Sequence, residues 1–210
     1  MAIAYDSVAK FDVITFDCYG TLIDWRNGIR AAFERIGVNG DDALRAYMEI
    51  EPQVERGYRP YRDVLRETGE RIAPGARLAE SLPSWEPFPD TNPAFQRLRA
   101  AGIRLGILSN IDDDLLAGTR KHFDVEFDVI VTAQQVRSYK PGSAHFNEAR
   151  KRIGSARWLH AAQSDYHDIV PANALGVPNA WINRLGEKAL PGGEPSYEFA
   201  NLTELADAMC

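Results

Sequence analysis

Short apolar runs recur along the chain at 11–16 (FDVITF), 103–108 (IRLGIL), 127–132 (FDVIVT), 156–162 (ARWLHAA) and 177–182 (VPNAWI). Each is rich in β-branched, aromatic or aliphatic residues and is bounded by turn formers, the pattern of a buried strand. Between them the periodicity lengthens. Asn92-Pro93 opens a helix that Gly102 closes, 143–153 forms another ended by Gly154, and 169–175 a short one ended by Gly176. A closing helix is expected over 201–209. Strand alternating with helix is the signature of a parallel α/β sheet.

Residues 26–90 break that rhythm. The stretches 27–36, 41–54 and 61–72 read as helices stopped by Gly37, Gly57 and Gly75, with no strand among them. The chain therefore divides into an α/β body, 1–25 and 91–210, and a helical insertion, 26–90. The Pro-rich stretch 82–90 (LPSWEPFPD) is the return linker of that insertion. There is no internal repeat.

Composition narrows the function classes. With 210 residues, 45% of them hydrophobic, the chain can bury a core without disulfide or metal staples. Its 24 Lys and Arg face 30 Asp and Glu, a net charge of −6, without a basic cluster. This argues against nucleic-acid or membrane-surface partners. Two cysteines, Cys18 and Cys210, form no framework or zinc spacing, which fits a reducing cytoplasm. No run approaches a membrane span, and the first residues carry no secretory pattern.

Ligands of an open parallel sheet bind beyond the carboxyl ends of its strands. Asp17, Cys18, Tyr19, Gly20 and Thr21 follow the first run, and Ser109-Asn110 the second. Ser138-Tyr139-Lys140-Pro141 comes after the third, and Gln163-Ser164-Asp165-Tyr166-His167-Asp168 after the fourth. One strand-end acid is ordinarily a turn residue, but polar groups at four successive strand ends make a reaction centre. Asp17 can be a nucleophile if it stays ionised, and Lys140 would keep it so. Ser109 and Asn110 offer donors to an anion, and Asp165 and Asp168 can orient water or hold a cation.

The runs FDCYGTLIDW at 16–25, LSN at 108–110, YKP at 139–141 and SDYHD at 164–168 with WINR at 181–184 resemble, in order, the haloacid dehalogenase superfamily. Within it the chain is most similar to the type II 2-haloacid dehalogenases: Tyr19 stands where most of the phosphatases carry Asp, Trp25 follows, and Asp165 and Asp168 are tightly spaced. The resemblance implies a Rossmann-like core with a helical cap inserted after the first strand. It implies a hydrolase that displaces halide from C2 of a small 2-haloacid through an aspartyl ester, with no cofactor. Asp17, Lys140, Asp168 and Ser109 would be the catalytic set. Tyr19, Thr21, Asn110, Trp25 and Asp165 would line the substrate site, Thr21 also bracing the nucleophile loop. The partner is then a small anionic substrate; a homodimer is left open.

Three departures keep an alternative in view. The cap arginine expected near 46–50 is absent from AYMEI, leaving Arg45, Arg56 or Arg59 to serve from elsewhere. Phe146 replaces an aromatic hydroxyl, and Asp165 stands where the dehalogenases carry Asn. An added carboxylate favours Mg²⁺, held by Asp17, Tyr19 and Asp165, and hence a small-molecule phosphatase on the same fold. Tyr19, with a reference pKa of about 10, is a poor substitute for that enzyme's acid-base Asp. A non-catalytic binding protein is the third reading. Among the remaining residues, Cys18 reads as core, His160 as a satisfied strand histidine, His167 as packing and Asp112–Asp114 as a solvated helix start. Tyr58, Tyr61 and Tyr166 read equally as pocket or packing residues.

Overall fold

The computed structural model describes residues 10–210; the reading of residues 1–9 as free of a secretory segment lies outside them. Six parallel strands make one sheet in the order β3-β2-β1-β4-β5-β6. They are β1 Val13–Phe16, β2 Arg104–Ser109, β3 Val129–Thr132, β4 Trp158–Ala162, β5 Asn179–Ile182 and β6 Tyr197–Phe199. Five follow the apolar runs. The sixth has only three residues and just one fully buried side chain, Phe199, too short a signal for periodicity.

Strand alternation sends side chains to two cores. Ile14 and Phe16 of β1 join Leu105, Ile107 and Leu159 on one face, under helices α5 (Thr91–Ala100) and α10 (Leu202–Met209). Val13, Val129 and Trp158 face the other way, against Phe146 and Ala149 of α8 (Ala144–Ile153). The central strand β1 is paired with β2 on one side and β4 on the other, so the chain order reverses at the residue that follows it, Asp17. That is the switch point at which α/β sheets bind ligands.

Four helices lie between β1 and β2: α1 Trp25–Glu34, α2 Gly40–Val54, α3 Tyr61–Ile72 and α4 Leu78–Ser81. Asp24 caps α1 through the Asn27 amide, and Asn39 caps α2 through Asp41 and Asp42. Ile29, Phe33, Leu44 and Leu65 bury their apolar faces in the same core as β1. The outgoing and returning segments are bonded to each other, Asp24 N to Glu86 O at 3.0 Å and Phe88 N to Leu22 O at 2.9 Å. Gly28 is required here, because a Cβ on it would come within 2.3 Å of the Trp85 ring.

The helix α6 (Asp113–Thr119) corrects one expectation. Asp112 is not solvated but buried. Its carboxylate accepts from the amides of Tyr61 at 3.0 Å and Arg62 at 2.8 Å. The start of α3, preceded by Pro60 without a capping side chain, is thus capped from the sheet side.

Candidate active site

The turn after β1 is built around Asp17. Gly20 adopts φ +102°, where a side chain is strained, and a Cβ would press on Gln163 and Trp25. Thr21 donates to Asp17 Oδ2 at 3.0 Å and accepts from the Gln163 amide at 2.8 Å. It is fully buried and absent from the cleft wall, so it braces the Asp17 loop rather than meeting a substrate.

Lys140 is buried and its ammonium donates three hydrogen bonds. The acceptors are Asp17 Oδ1 at 2.9 Å, Leu108 O at 2.9 Å and Asp168 Oδ1 at 2.6 Å. Asn110 fixes the loop that carries it, accepting from Lys140 N at 2.7 Å and donating to Lys140 O at 3.0 Å. Ser109 lines the cleft, and its carbonyl accepts from His145 Nε2. Burial holds the His145 imidazole neutral, its pKa near 3.

Two carboxylates share one ammonium, and they share it unequally. Burial raises both, but Lys140 and His160 together hold Asp168 down at about 2. Asp17 has no imidazole partner, so burial leaves it above its ordinary value despite Lys140 and Thr21. Asp168 is therefore the settled anion and Asp17 the more basic one, which makes it the better nucleophile.

His160, read from sequence as a satisfied strand histidine, is satisfied by the site itself. Trp158 Nε1 donates to Thr15 Oγ1 at 2.7 Å, so the Thr15 hydroxyl proton points to His160 Nδ1 at 2.8 Å. Nε2 then carries the ring N–H, which is donated to Asp168 Oδ1 at 2.9 Å. Asp168 Oδ1 is doubly occupied, while its buried Oδ2 has no hydrogen-bond partner among the described residues. The chain Trp158–Thr15–His160–Asp168 spans two strands and cannot be seen in sequence.

Asp165 departs from expectation. Residues Asp165–Ile169 form a π-helical turn, with Ile169 N on Ser164 O at 3.3 Å. Its wider i→i+5 spacing turns Asp165 and Asp168 to different sides. Asp165 Oδ2 accepts from the Leu190 amide, and the carboxylate lies against Gly193, where a Cβ would be 2.0 Å away. It is absent from the cleft wall, so neither substrate contact nor the metal set Asp17, Tyr19 and Asp165 is assembled. The donor set does not fit Mg²⁺; the positive charge beside Asp17 is Lys140.

Above Asp17 lies a cleft of about 320 Å³. The α/β body contributes Asp17, Ser109, Lys140 and Asp168, with Trp25 at the edge of the insert; the insert contributes Tyr47, Glu51, Glu55, Tyr61 and Trp85. Tyr19 lines it too, with its hydroxyl held by Thr119 at 2.8 Å and its ring edge-on to Trp85. Tyr61 bonds both Tyr47 and Glu51, whereas Tyr58 packs at a tilt against Tyr139 outside the wall and Tyr166 is 57% exposed. Of the candidate arginines, Arg45 pairs with Asp42 and Arg59 with Glu67, and among the described residues no arginine, Arg56 included, lines the cleft. The two cleft acids Glu51 and Glu55 went unread because a helical Glu looks like a solvated face. A larger hollow, about 370 Å³, lies in the insert beside Phe33 and Leu78 and includes none of the strand-end residues.

Known proteins resemble this chain in sequence and in fold. Two curated relatives, the (S)-2-haloacid dehalogenases of Pseudomonas putida and Pseudomonas fluorescens, are 28% and 27% identical. They cover 92% and 91% of this chain and 94% and 93% of their own. The L-2-haloacid dehalogenase of Xanthobacter autotrophicus, solved with chloropropionic acid covalently bound, superposes with a TM-score of 0.78 at 17% identity. That likeness covers 94% of this chain and 97% of the other. A phosphatase from Thermococcus onnurineus, 22% identical over 93% of this chain and 96% of its own, superposes at 0.64. The family model described as haloacid dehalogenase-like hydrolase matches residues 11–169, and the chain belongs to that family of hydrolases.

Proposed function

We propose that the protein hydrolyses small 2-haloacids through an aspartyl-enzyme ester, without a metal. The observation that carries this is the buried Asp17–Lys140–Asp168 cluster, 2.9 and 2.6 Å between its charged atoms, opening onto an aromatic-walled cleft.

In the first step an Asp17 oxygen bonds to C2 from the side opposite the halogen. The carbon–halogen pair leaves as halide and C2 inverts. Lys140 and Thr21 hold the carboxylate in place and Lys140 keeps it ionised. In the second step water attacks the Asp17 carboxyl carbon. Asp168 Oδ2, the oxygen without a protein partner among the described residues, takes one water proton and returns it to the hydroxyacid oxygen as the ester C–O bond breaks, while the other water proton goes to solvent and Asp17 regains its carboxylate. Lys140 and the donors at Ser109 and Asn110 oppose the charge that develops. Halide departs as a solvated monoanion, so this route needs no metal, unlike phosphoryl transfer.

The test is a paired assay. Chloride release from (S)-2-chloropropionate should survive EDTA, with negligible Mg²⁺-dependent phosphate release from a general monoester. Phosphate release abolished by EDTA, with no chloride in any condition, would instead make the protein a phosphatase.

A further inference from the structure

Among the described residues, a substrate carboxylate entering this cleft meets no free cation. No arginine among them lines the wall. Lys140 is their one basic side chain there besides His167, and its three protons already go to Asp17, Leu108 and Asp168. Burial keeps His167 below its ordinary value, and its Nδ1 is held by Ser164. What the insert does present is Glu55, whose Oε1 is buried with no hydrogen-bond partner among the described residues.

Burial, the helix end and Glu51 disfavour the charge on Glu55. It is the C-cap residue of the 15-residue helix α2, at the negative end of the helix dipole, with its amide on Glu51 O at 2.9 Å. Glu51 stands one turn back on the same helix and already accepts from Tyr61 at 2.9 Å. Tyr47 of α2, Tyr61 of α3 and Tyr139 of the Lys140 loop are the other titratable neighbours, all uncharged. Lys140 alone favours the anion, and it is committed to two acids. An unpaired buried carboxylate takes up a proton rather than bear the desolvation cost.

We propose that Glu55, as a neutral carboxylic acid, donates the hydrogen bond that receives the substrate's carboxylate, in the role a cation would otherwise fill. The proposal rests on the dehalogenation reading for the substrate's chemistry. Burial and Glu51 push the Glu55 carboxyl up to about 8. The sign follows: the donor is present below that pH and lost as pH rises through it.

Binding of the hydroxyacid product separates this from turnover. Lactate and its uncharged amide are titrated calorimetrically into the wild-type protein, E55Q and E55A at pH 6.5 and 9.5. Wild-type affinity for lactate should fall about tenfold or more across that range. E55Q, which keeps a donor that cannot titrate, should bind lactate at both pH values within about threefold of wild type at pH 6.5. E55A should bind weakly at both. Lactate that fails to bind, or binds wild type equally at the two pH values, overturns the role of Glu55. Lactamide bound more tightly than lactate overturns it too, and indicates a substrate whose distal end is not an anion. The chloride assay is scored separately. Absent turnover with titrating lactate binding would unseat the reaction and leave Glu55's role standing; turnover with flat binding would do the reverse.

Discussion

At the scale of single residues, one lysine serves two carboxylates, and a histidine bonded to one of them decides which is the settled anion. His160 neither bonds Asp17 nor lines the cleft itself; it acts through Asp168. A hydrogen bond to a charged group contributes roughly 1.5–3 kcal/mol. Removing it in H160F should therefore slow ester hydrolysis by roughly 10- to 100-fold while the initial burst of chloride is kept. Asp168 sits near 2 because of Lys140 and His160, so its anion is available at any pH above that. Without the imidazole its carboxyl rises, and the acid limb of kcat should move to higher pH as the base is protonated earlier. H160Q, whose amide can still donate, should restore part of the rate and return the limb toward wild type. Pre-steady-state chloride bursts across pH check this: an unshifted limb in H160F would reduce His160 to packing. Asp165 gives the opposite lesson. Spacing placed it beside Asp168, but a π turn, invisible in composition, aims it at Gly193 instead.

At the scale of elements, the helical insert is held to the sheet by a few specific bonds. The Asp112 carboxylate takes both leading amides of α3, Arg62 pairs with Asp114 at 2.5 Å, and Tyr139 donates to Arg59 O. An N-cap is worth about 1 kcal/mol, up to about 2. D112A should lower stability by that amount in urea melts. It should also raise KM by several-fold with little change in the chloride burst, because α3 carries Tyr61 into the cleft. A variant with reduced stability and unchanged KM would make the contact purely structural. The strands and long helices were legible because their periodicities are strong: every apolar run beyond residue 10 became a strand. Asp112 was misread as solvated because its partners lie 50 and 51 residues away. The strand Tyr197–Phe199 escaped because three residues cannot display alternation.

At the scale of the whole molecule, the sheet's order brings four distant strand ends to one edge, and the insert roofs them. Asp17, Ser109, Lys140 and Asp168 were readable from sequence because each directly follows or lies near the end of a recognisable strand. The roof was not, since helical periodicity tells which face is buried but not whether it meets a core or a cleft. Tyr47, Glu51 and Tyr61 form a bonded group there that only the folded chain assembles. We propose that the chain is arranged accordingly, as an α/β body of residues 1–25 and 91–210 with a helical cap over residues 26–90. Among the described residues no helix is long and apolar enough to cross a membrane.

The central claim is that an Asp17 oxygen, not water, first bonds to the substrate. It is tested most directly by a single turnover of excess enzyme on (S)-2-chloropropionate in ¹⁸O-water, with mass analysis of both lactate and the peptide containing Asp17. The account predicts unlabelled lactate hydroxyl and one ¹⁸O gained in Asp17, because water attacks the ester at the carboxyl carbon. Lactate carrying ¹⁸O after that first turnover, with Asp17 unlabelled, would mean direct attack by water and would contradict it.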